Sequence, residues 1–245
     1  IRFDFTGARV LVTGGSSGIG LAVAAAFAEA GARVAVTGTR PRASDYPDDL
    51  SRFAYHPLDV REGAAIDRLA AGLEGLDVLV NNAGATFARA PGEWDPVVFE
   101  DAVRINLFAA FRLAVACKPL LGRSALDGGA SVVNVASMAA FFAVPVVPGY
   151  GAAKAAVVQL TKNLAVAWAG DGIRVNAVAP GLVLTKMTAG MRGVAAVEQP
   201  QLDRTAMHRW GTPAEVAPAF LFLSSAAARF VAGATLGVDG GYSAT

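Results

Sequence analysis

The chain is poor in cysteine and histidine. Its 245 residues include one cysteine, Cys117, and two histidines. A single cysteine cannot form an internal disulfide, and it cannot supply a metal site built from cysteines. We therefore predict no metal centre, no disulfide framework and a reducing compartment, the cytoplasm, as the location. A secreted protein with few cysteines would have the same composition.

Strong charge and long apolar runs are also missing. The formal net charge is +1, so bulk electrostatics predicts neither nucleic acid nor a membrane surface as partner. No stretch approaches the roughly 20 apolar residues that a membrane-spanning helix needs. The most apolar segment, residues 141–147, is short and contains Pro145. Residues 1–5 predict an approach to a strand and not a signal peptide.

Apolar residues are abundant, at 54% of the chain against 17% charged residues. They form short continuous runs that alternate with Ala-rich segments of helical spacing, as expected for strands that are covered on both faces. The pattern predicts an α/β protein, with one Rossmann domain over residues 1–245. We expect a doubly wound parallel sheet of about seven strands with helices on both faces. The predicted strands cover residues 9–13, 33–37, 53–58, 77–80, 130–135, 173–178 and 235–238, and the predicted helices cover 19–30, 64–73, 96–121, 150–169 and 215–223.

Residues 182–210 do not fit this alternation. Their polarity is mixed, and Gly190, Gly193 and Pro200 interrupt any regular pattern. A long irregular insertion near the ends of the strands is typical of a lid over a binding site. We predict that this segment forms a lid.

A glycine-rich turn lies between the first predicted strand and the first predicted helix. Glycines let the backbone turn sharply and approach a pyrophosphate without Cβ clashes, and the free N–H groups of the helix start then face the anion. The position of the turn between a strand and a helix predicts a dinucleotide site. The residues predicted to bind the dinucleotide here are Gly14, Ser16, Ser17, Gly18, Ile19 and Gly20.

Tyr150 and Lys154 are four residues apart near the start of a predicted helix, which places both side chains on one face. A free tyrosine has a pKa near about 10, and a neighbouring ammonium group favours the phenolate and lowers that pKa. Such a phenol can exchange a proton with an alcohol or a carbonyl near neutral pH. Taken alone, the pair is more often an ordinary helix face than a catalytic pair.

Further motifs surround this pair in a fixed order. They are Asn-Asn-Ala-Gly at 81–84, Asn106, Ser137 thirteen residues before Tyr150, Pro180-Gly181 and Val-Asp-Gly-Gly at 238–241. Together with Thr-Gly-x-x-x-Gly-x-Gly at 13–20 and Tyr-x-x-x-Lys, they resemble the short-chain dehydrogenase/reductase family over nearly the whole chain. Within that family the chain resembles sugar-acid dehydrogenases and 3-oxoacyl-carrier-protein reductases, and the sequence does not separate their substrates.

The resemblance implies an oxidoreductase that moves a hydride between NAD(P) and a carbonyl or secondary alcohol. Tyr150 would be the general acid or base, and Lys154 would lower its pKa and hold the nicotinamide ribose. Ser137 would hydrogen-bond the substrate oxygen. Asn106 would bend its helix and hold a water that relays protons to Lys154. Read singly, Ser137 is a polar strand end and Asn106 an amide on a helix surface. A dinucleotide sensor without turnover would share the scaffold but would not need all four residues.

The resemblance also implies further cofactor contacts. These are Asp59 and Val60 beside the adenine ring, Asn82, Ala83 and Gly84 at the adenine ribose, and Pro180, Gly181, Val183 and Thr185 at the nicotinamide carboxamide. Asn82 would also pin neighbouring strands. From the residues alone, Asp59 predicts a helix N-cap with Glu62 at capping-box spacing, and one aspartate can serve both purposes.

The choice between NAD and NADP depends on the end of the second predicted strand. An acid there would bond both ribose hydroxyls and repel a 2′-phosphate, but Gly38 stands where NAD-preferring relatives usually carry Asp. Thr39, Arg40 or Arg42 can receive a phosphate, which favours NADP(H) slightly over NAD(H). Against this, the glycine-rich turn contains no basic residue, and Arg40 and Arg42 fit a solvated loop nearly as well.

The expected partner is a small carbonyl or alcohol substrate, held between residues 139–147 and the lid. In the family that the chain resembles, two long helices, here near 101–120 and 150–169, commonly pack in a dimer interface. A second interface near the last strand commonly builds a tetramer. The resemblance therefore implies a homotetramer or a homodimer.

Overall fold

The computed structural model describes residues 3–244, so Ile1, Arg2 and Thr245 lie outside the described residues. The expected approach of residues 1–5 to the first strand is therefore described only in part. All seven predicted strands are present in one sheet. They are β1 Arg9–Val12, β2 Arg33–Gly38, β3 Ala54–Pro57, β4 Val78–Asn81, β5 Ala130–Val135, β6 Ile173–Pro180 and β7 Thr235–Val238.

The sheet is parallel throughout and has the strand order β3-β2-β1-β4-β5-β6-β7. Val10 of β1 pairs with Val34 of β2 on one side and with Val78 of β4 on the other. From β1, the strands β2 and β3 extend the sheet on one side, and the strands β4 to β7 extend it on the other side. In such sheets ligands bind outside the carboxyl ends of the strands, at the point where the direction reverses. That point lies between β1 and β4.

Helices cover both faces of the sheet, which confirms the doubly wound prediction. The helices are α1 Gly18–Glu29, α2 Gly63–Gly72, α3 Pro96–Val103, α4 Ala109–Leu121, α5 Pro148–Trp168, α6 Ala195–Arg204 and α7 Pro213–Ser224. Alternate strand residues face opposite sides of the sheet: Val10 and Val12 belong to the core under α1 and α7, whereas Leu11 belongs to the core under α2, α4 and α5. Within residues 3–244, none of the helices is long and apolar enough to cross a bilayer.

The long helix predicted over 96–121 has a widened turn near its middle. Asp95 caps its start by accepting from the amides of Val97 and Val98. Between α3 and α4, Arg104–Phe108 form a π-helical turn that contains Asn106. Such turns occur mostly as single insertions in α-helices, frequently at functional sites. The expected distortion of the helix at Asn106 is thus present.

The lid segment, residues 182–210, is more regular than its sequence suggests. It contains the helix α6, which the sequence analysis did not predict. Pro200 lies inside this helix, and none of the helix residues is buried. Because α6 has no apolar stripe facing the core, it lacks the periodic signal on which helix prediction depends.

A close approach at the start of α1 fixes that helix against the sheet. A Cβ on Gly20 would lie 2.3 Å from Nδ2 of Asn82 and 2.5 Å from the carbonyl oxygen of Gly14. Both neighbours are held: the Asn82 amide donates to the carbonyls of Thr13 and Gly14 at 2.8 and 3.1 Å. The packing therefore requires glycine at position 20.

We predict that Gly20→Ala lowers the free energy of unfolding by about 1–3 kcal/mol, the usual cost of inserting a methyl group into a packed site. Urea unfolding followed by circular dichroism measures the change. Gly72→Ala is the matched control, because Gly72 ends α2 and a Cβ there would have no neighbour within 4 Å. The control should leave stability unchanged or slightly raised. Equal losses in the two variants would contradict the packing argument.

Candidate active site

The glycine-rich turn, residues 13–20, has the geometry of an anion site. Gly14 and Gly18 have positive φ angles of 62° and 58°, which glycine adopts without strain. The helix α1 begins at Gly18, and Ser17 at its N-cap position accepts no hydrogen bond through its side chain. The first N–H groups of α1 are therefore not used by a side-chain cap at Ser17. These groups, together with the helix dipole, suit a pyrophosphate.

Asn82 joins the turn to the end of β4. Its amide donates to the carbonyls of Thr13 and Gly14, and the hydroxyl of Thr13 accepts from the backbone amides of Asn82 and Ala83, both at 3.0 Å. A Cβ on Gly14 would lie 3.0 Å from Cα of Ala83. The expected pinning of neighbouring strands by Asn82 is confirmed. Ala83 and Gly84 continue the chain beside the turn.

The turn also meets the lid segment. A Cβ on Gly18 would lie 3.5 Å from Cγ2 of Thr185, so Thr185 stands directly over the turn. Its amide donates to the hydroxyl of Thr188 at 2.9 Å, and that hydroxyl donates to the carbonyl of Val183 at 2.6 Å. Gly181 donates to the carbonyl of Val238 at 3.0 Å as β6 ends at Pro180. The residues predicted to contact the carboxamide thus lie along one path from β6 to the turn.

Tyr150, Lys154, Ser137 and Asn106 converge at the carboxyl edge of the sheet, where β4 and β5 end. Ser137 follows β5 and caps a short turn by accepting from the amide of Ala139 at 3.2 Å, and its hydroxyl lowers the pKa of Tyr150. The Nζ atom of Lys154 lies 5.5 Å from the centre of the Tyr150 ring. It donates to the carbonyl of Val135 at 2.7 Å. The four residues that the motifs predict to form one site therefore lie in the same part of the structure.

The expected lowering of the Tyr150 pKa by Lys154 is not found, because the net direction is upward. Burial raises the pKa of Tyr150, the hydroxyl of Ser137 lowers it, and the carboxylate of Glu93 raises it again. Burial also lowers the pKa of Lys154 to about 8, and the side chain is only 3% exposed. The ammonium contacts the ring face and a carbonyl, so desolvation outweighs attraction for both groups.

Asn106 is buried, with 2% of its surface exposed, and is not the surface amide of the alternative interpretation. Its Nδ2 atom donates to the carbonyls of Ala85 and Ala102 at 2.8 and 2.9 Å. A Cβ on Gly84 would lie 2.6 Å from Oδ1 of Asn106 and 3.6 Å from Nζ of Lys154. A side chain at position 84 would therefore clash with Asn106, and glycine is the residue that fits there.

Asp59 does not cap a helix. The helix α2 begins only at Gly63, after Glu62, and no side chain caps it. The carboxylate of Asp59 instead accepts from the backbone amide of Arg61 at 3.0 Å and from its guanidinium at 2.5 Å. This partner lowers the pKa of Asp59. The capping-box prediction was wrong because a bidentate arginine two residues away competes for the same oxygens. Asp59 and Val60 still follow β3 at the carboxyl edge of the sheet.

Gly38, Thr39 and Arg40 lie at the end of β2, next to the glycine-rich turn. A Cβ on Gly38 would lie 3.1 Å from Oγ of Ser16 and 2.3 Å from the hydroxyl of Tyr46. The Arg40 guanidinium lies 5.1 Å from the centre of the Tyr46 ring and donates to a backbone carbonyl. Arg42, the other predicted phosphate ligand, instead pairs with the carboxylate of Asp45 at 3.1 Å.

Glu93 belongs to the site and was not predicted from the sequence. Only 1% of its surface is exposed, and its two carboxylate oxygens accept from the backbone amides of Phe87 at 2.9 Å and Tyr150 at 2.8 Å. A carboxylate at the first turn of α5 is favoured by the helix dipole. It ties the loop after β4 to the helix that carries Tyr150. An isolated glutamate between Gly92 and Trp94 carries no sequence signal for this contact.

Comparison with known proteins agrees with this geometry. A family model described as enoyl-(acyl carrier protein) reductase matches residues 14–243. The chain belongs to the short-chain dehydrogenase/reductase family. It is 39% identical to galactitol 2-dehydrogenase (L-tagatose-forming) of Cereibacter sphaeroides, over 98% of this chain and 96% of the relative. It is 40% identical to cis-4-hydroxycyclohexanecarboxylate dehydrogenase of Sinomonas cyclohexanicum, over 96% of each protein.

A solved structure shows the same fold. The gluconate 5-dehydrogenase of Burkholderia cenocepacia J2315, in complex with NADP and tartrate, aligns with a TM-score of 0.88 and 34% identity over 100% of this chain and 98% of that chain. This short-chain dehydrogenase/reductase is therefore an NAD(P)-dependent oxidoreductase that acts on alcohol or carbonyl substrates. The glycine-rich turn with its uncapped helix start fits that cofactor.

We predict that Glu93→Gln shifts the pH dependence of alcohol oxidation to lower pH. The carboxylate raises the pKa of Tyr150, so its removal lowers that pKa, and the phenolate that accepts the proton forms at lower pH. Loss of one acceptor should also lower stability by about 1–3 kcal/mol. The measurement is kcat/KM against pH, with thermal unfolding alongside.

Glu100→Gln is the matched control for this variant, because Glu100 is exposed on α3 and the charge change is the same. The control should keep the parent pH profile. A pH profile in Glu93→Gln that matches the parent, or that moves to higher pH, would contradict the electrostatic role of Glu93.

Proposed function

We propose that this enzyme interconverts a secondary alcohol and a carbonyl on a small polyhydroxylated substrate, a polyol or a sugar acid, with Tyr150 as general acid and base. The observation that carries the proposal is the grouping of Tyr150 with Ser137, whose hydroxyl lowers the Tyr150 pKa, and with the buried Lys154, whose Nζ atom lies 5.5 Å from the centre of the Tyr150 ring. The site lies at the same sheet edge as the glycine-rich turn. Galactitol 2-dehydrogenase and gluconate 5-dehydrogenase among the relatives support the substrate class.

In the proposed oxidation, the alcohol loses the hydrogen on its carbon as a hydride and the hydrogen on its oxygen as a proton. When bound, NAD(P) supplies the hydride acceptor or donor at C4 of its nicotinamide. In oxidation, Ser137 holds the substrate oxygen and Tyr150 takes the hydroxyl proton as the carbonyl forms. In reduction, Tyr150 returns the proton to the carbonyl oxygen. Lys154 holds the nicotinamide ribose, and Asn106 shapes the helix that packs against it.

NADP(H) is the cofactor that we favour over NAD(H). Because residue 38 at the end of β2 is glycine and not an acid, no carboxylate at that position repels a 2′-phosphate. The described partners of the Arg40 side chain, the ring of Tyr46 and the carbonyl of Asp45, are uncharged, so its positive charge is available to a phosphate. The Burkholderia relative holds NADP.

The lid of the proposed single domain is residues 182–210. Its conformation is held by polar contacts at both ends: Lys186 pairs with Asp48 at 3.3 Å, and Nε1 of Trp210 donates to Glu198 at 2.5 Å. Because Thr185 lies over the glycine-rich turn, closure of this segment would cover the cofactor and the substrate together. The location in the cytoplasm stays a prediction.

Tyr150→Phe tests the proposed reaction. We expect kcat to fall by about 10²–10⁴-fold, the usual contribution of a general acid or base, because the ring remains and only the hydroxyl is lost. Polyols, sugar acids, keto acids and 3-oxoacyl thioesters are screened by reduced-nicotinamide absorbance with both cofactors. Binding of NADPH to the variant, measured by fluorescence, serves as the folding control.

Two results of this screen would count against the proposal. Full turnover by Tyr150→Phe would remove the tyrosine from the mechanism. Tight binding of cofactor by the parent without turnover of any substrate would favour the dinucleotide-sensing alternative.

The assembly that we propose is a homotetramer or a homodimer built through α4 and α5. Phe108 at the end of the π-helical turn and Phe111 and Val115 on α4 are spaced three and four residues apart, as on one helix face, and are 59%, 48% and 46% exposed. On α5, Val166 is exposed as well. Apolar side chains that recur on one helix face and remain exposed mark a protein interface.

Phe111→Glu should therefore convert the assembly to a species of lower mass, because a charge in an apolar interface is costly to bury. Light scattering after size-exclusion chromatography gives the mass. Ala71→Glu places the same side chain on the exposed surface of α2 and should leave the mass unchanged. An unchanged mass in Phe111→Glu would place the interface elsewhere.

A further inference from the structure

The end of β2 contains a tyrosine that occupies the space of a missing acid. Gly38 is the last residue of β2 and is buried. Its Cβ would lie 2.3 Å from the hydroxyl oxygen of Tyr46 and 2.9 Å from Cζ. An aspartate at position 38 would extend its side chain from that same Cβ. The phenol of Tyr46 therefore fills the volume that the acid of an NAD-type site would need.

The hydroxyl of Tyr46 is held by hydrogen bonds from two parts of the chain. It accepts from the backbone amide of Arg40 at 2.9 Å and from the hydroxyl of Tyr55 on β3 at 3.4 Å. Burial raises the pKa of Tyr46, but the hydroxyl of Tyr55, the amide of Arg40 and the hydroxyls of Ser16 and Thr39 lower it, and the net direction is downward. The phenol is thus a held group and not a free surface side chain.

A positive charge accompanies this hydroxyl. The Arg40 guanidinium lies 5.1 Å from the centre of the Tyr46 ring, and its described partners carry no charge. In a doubly wound sheet the ribose of the adenosine half lies at the end of β2, next to the glycine-rich turn. A hydroxyl donor beside an arginine suits a dianionic phosphate better than a neutral diol, because hydrogen bonds to a charged acceptor are the stronger ones.

We propose that Tyr46 is a specificity-determining residue: its hydroxyl hydrogen-bonds the 2′-phosphate of NADP(H), and its bulk excludes an acid from position 38. This inference rests on the proposed preference for NADP(H) and adds the residue that sets it. The hydroxyl donates to a phosphate oxygen, and Arg40 neutralises the charge from the adjacent position. No residue of the proton-transfer group takes part.

Binding of the isolated adenosine half tests the proposal without catalysis. Calorimetry with 2′,5′-ADP and with 5′-ADP separates the 2′-phosphate from the rest of the nucleotide. Tyr46→Phe should weaken 2′,5′-ADP about tenfold or more, as expected for one hydrogen bond to a charged group. It should change 5′-ADP binding much less. Tyr242→Phe removes a tyrosine hydroxyl near the opposite edge of the sheet, where it bonds Gln201, and should leave both affinities unchanged.

A pair of position-38 variants tests the steric half of the proposal. Gly38→Asp alone should weaken both NADPH and NADH, because the new side chain meets the Tyr46 hydroxyl. The double variant Gly38→Asp with Tyr46→Ala removes that obstacle and should bind NADH more tightly than NADPH. Dissociation constants come from the fluorescence of the reduced cofactors, and thermal unfolding shows that each variant is folded.

The outcomes separate this inference from the proposed function. Retained affinity for 2′,5′-ADP in folded Tyr46→Phe would overturn the role of the hydroxyl. A switch to NADH by Gly38→Asp alone would overturn the steric role. A parent enzyme that binds NADH more tightly than NADPH would overturn both the inference and the proposed cofactor. Binding of neither dinucleotide by the parent would overturn the proposed function itself.

Discussion

The site depends on the side-by-side alignment of the carboxyl ends of β1 and β4, where the strand order of the sheet reverses. Asn82 holds that alignment because its side-chain amide donates to the carbonyls of Thr13 and Gly14. The hydroxyl of Thr13 in turn accepts from the backbone amides of Asn82 and Ala83, which follow β4. Because one set of hydrogen bonds joins the glycine-rich turn to the segment that leads to Gly84, the proposed cofactor-binding and proton-transfer groups are held together by the same contacts. A shift of β4 against β1 would move both.

Burial then determines the protonation of the reactive pair. It acts in opposite directions on an acid and a base: the pKa of Tyr150 rises, and the pKa of Lys154 falls to about 8. Both groups are driven toward their neutral forms. A neutral phenol is the form that gives a proton to a carbonyl, whereas oxidation of an alcohol needs the phenolate. The hydroxyl of Ser137 favours the phenolate, because it lowers the pKa of Tyr150.

The sequence predicts features that depend on local spacing. The glycine-rich turn, the seven strands and the group around Tyr150 are visible because strand and helix periods and motif order lie within short stretches of chain. Helix α6 was missed because Pro200 lies inside it and no apolar stripe marks it. The capping role of Asp59 was wrongly predicted, since the competing guanidinium of Arg61 is a matter of side-chain geometry. The raised pKa of Tyr150 depends on the burial of the whole site.

Glu93 and Tyr46 show why the remaining functional residues escape prediction. Each acts on a motif residue from a loop with no pattern of its own: Glu93 reaches the amide of Tyr150 across 57 positions, and Tyr46 fills the space above Gly38. A motif states which residue is present at a position, but the space around that position is set by the fold. An absent acid at the end of β2 is thus ambiguous in the sequence, because either open solvent or another side chain can take its place. Here the phenol takes it, and the chemistry offered to a nucleotide is that of a hydroxyl beside an arginine.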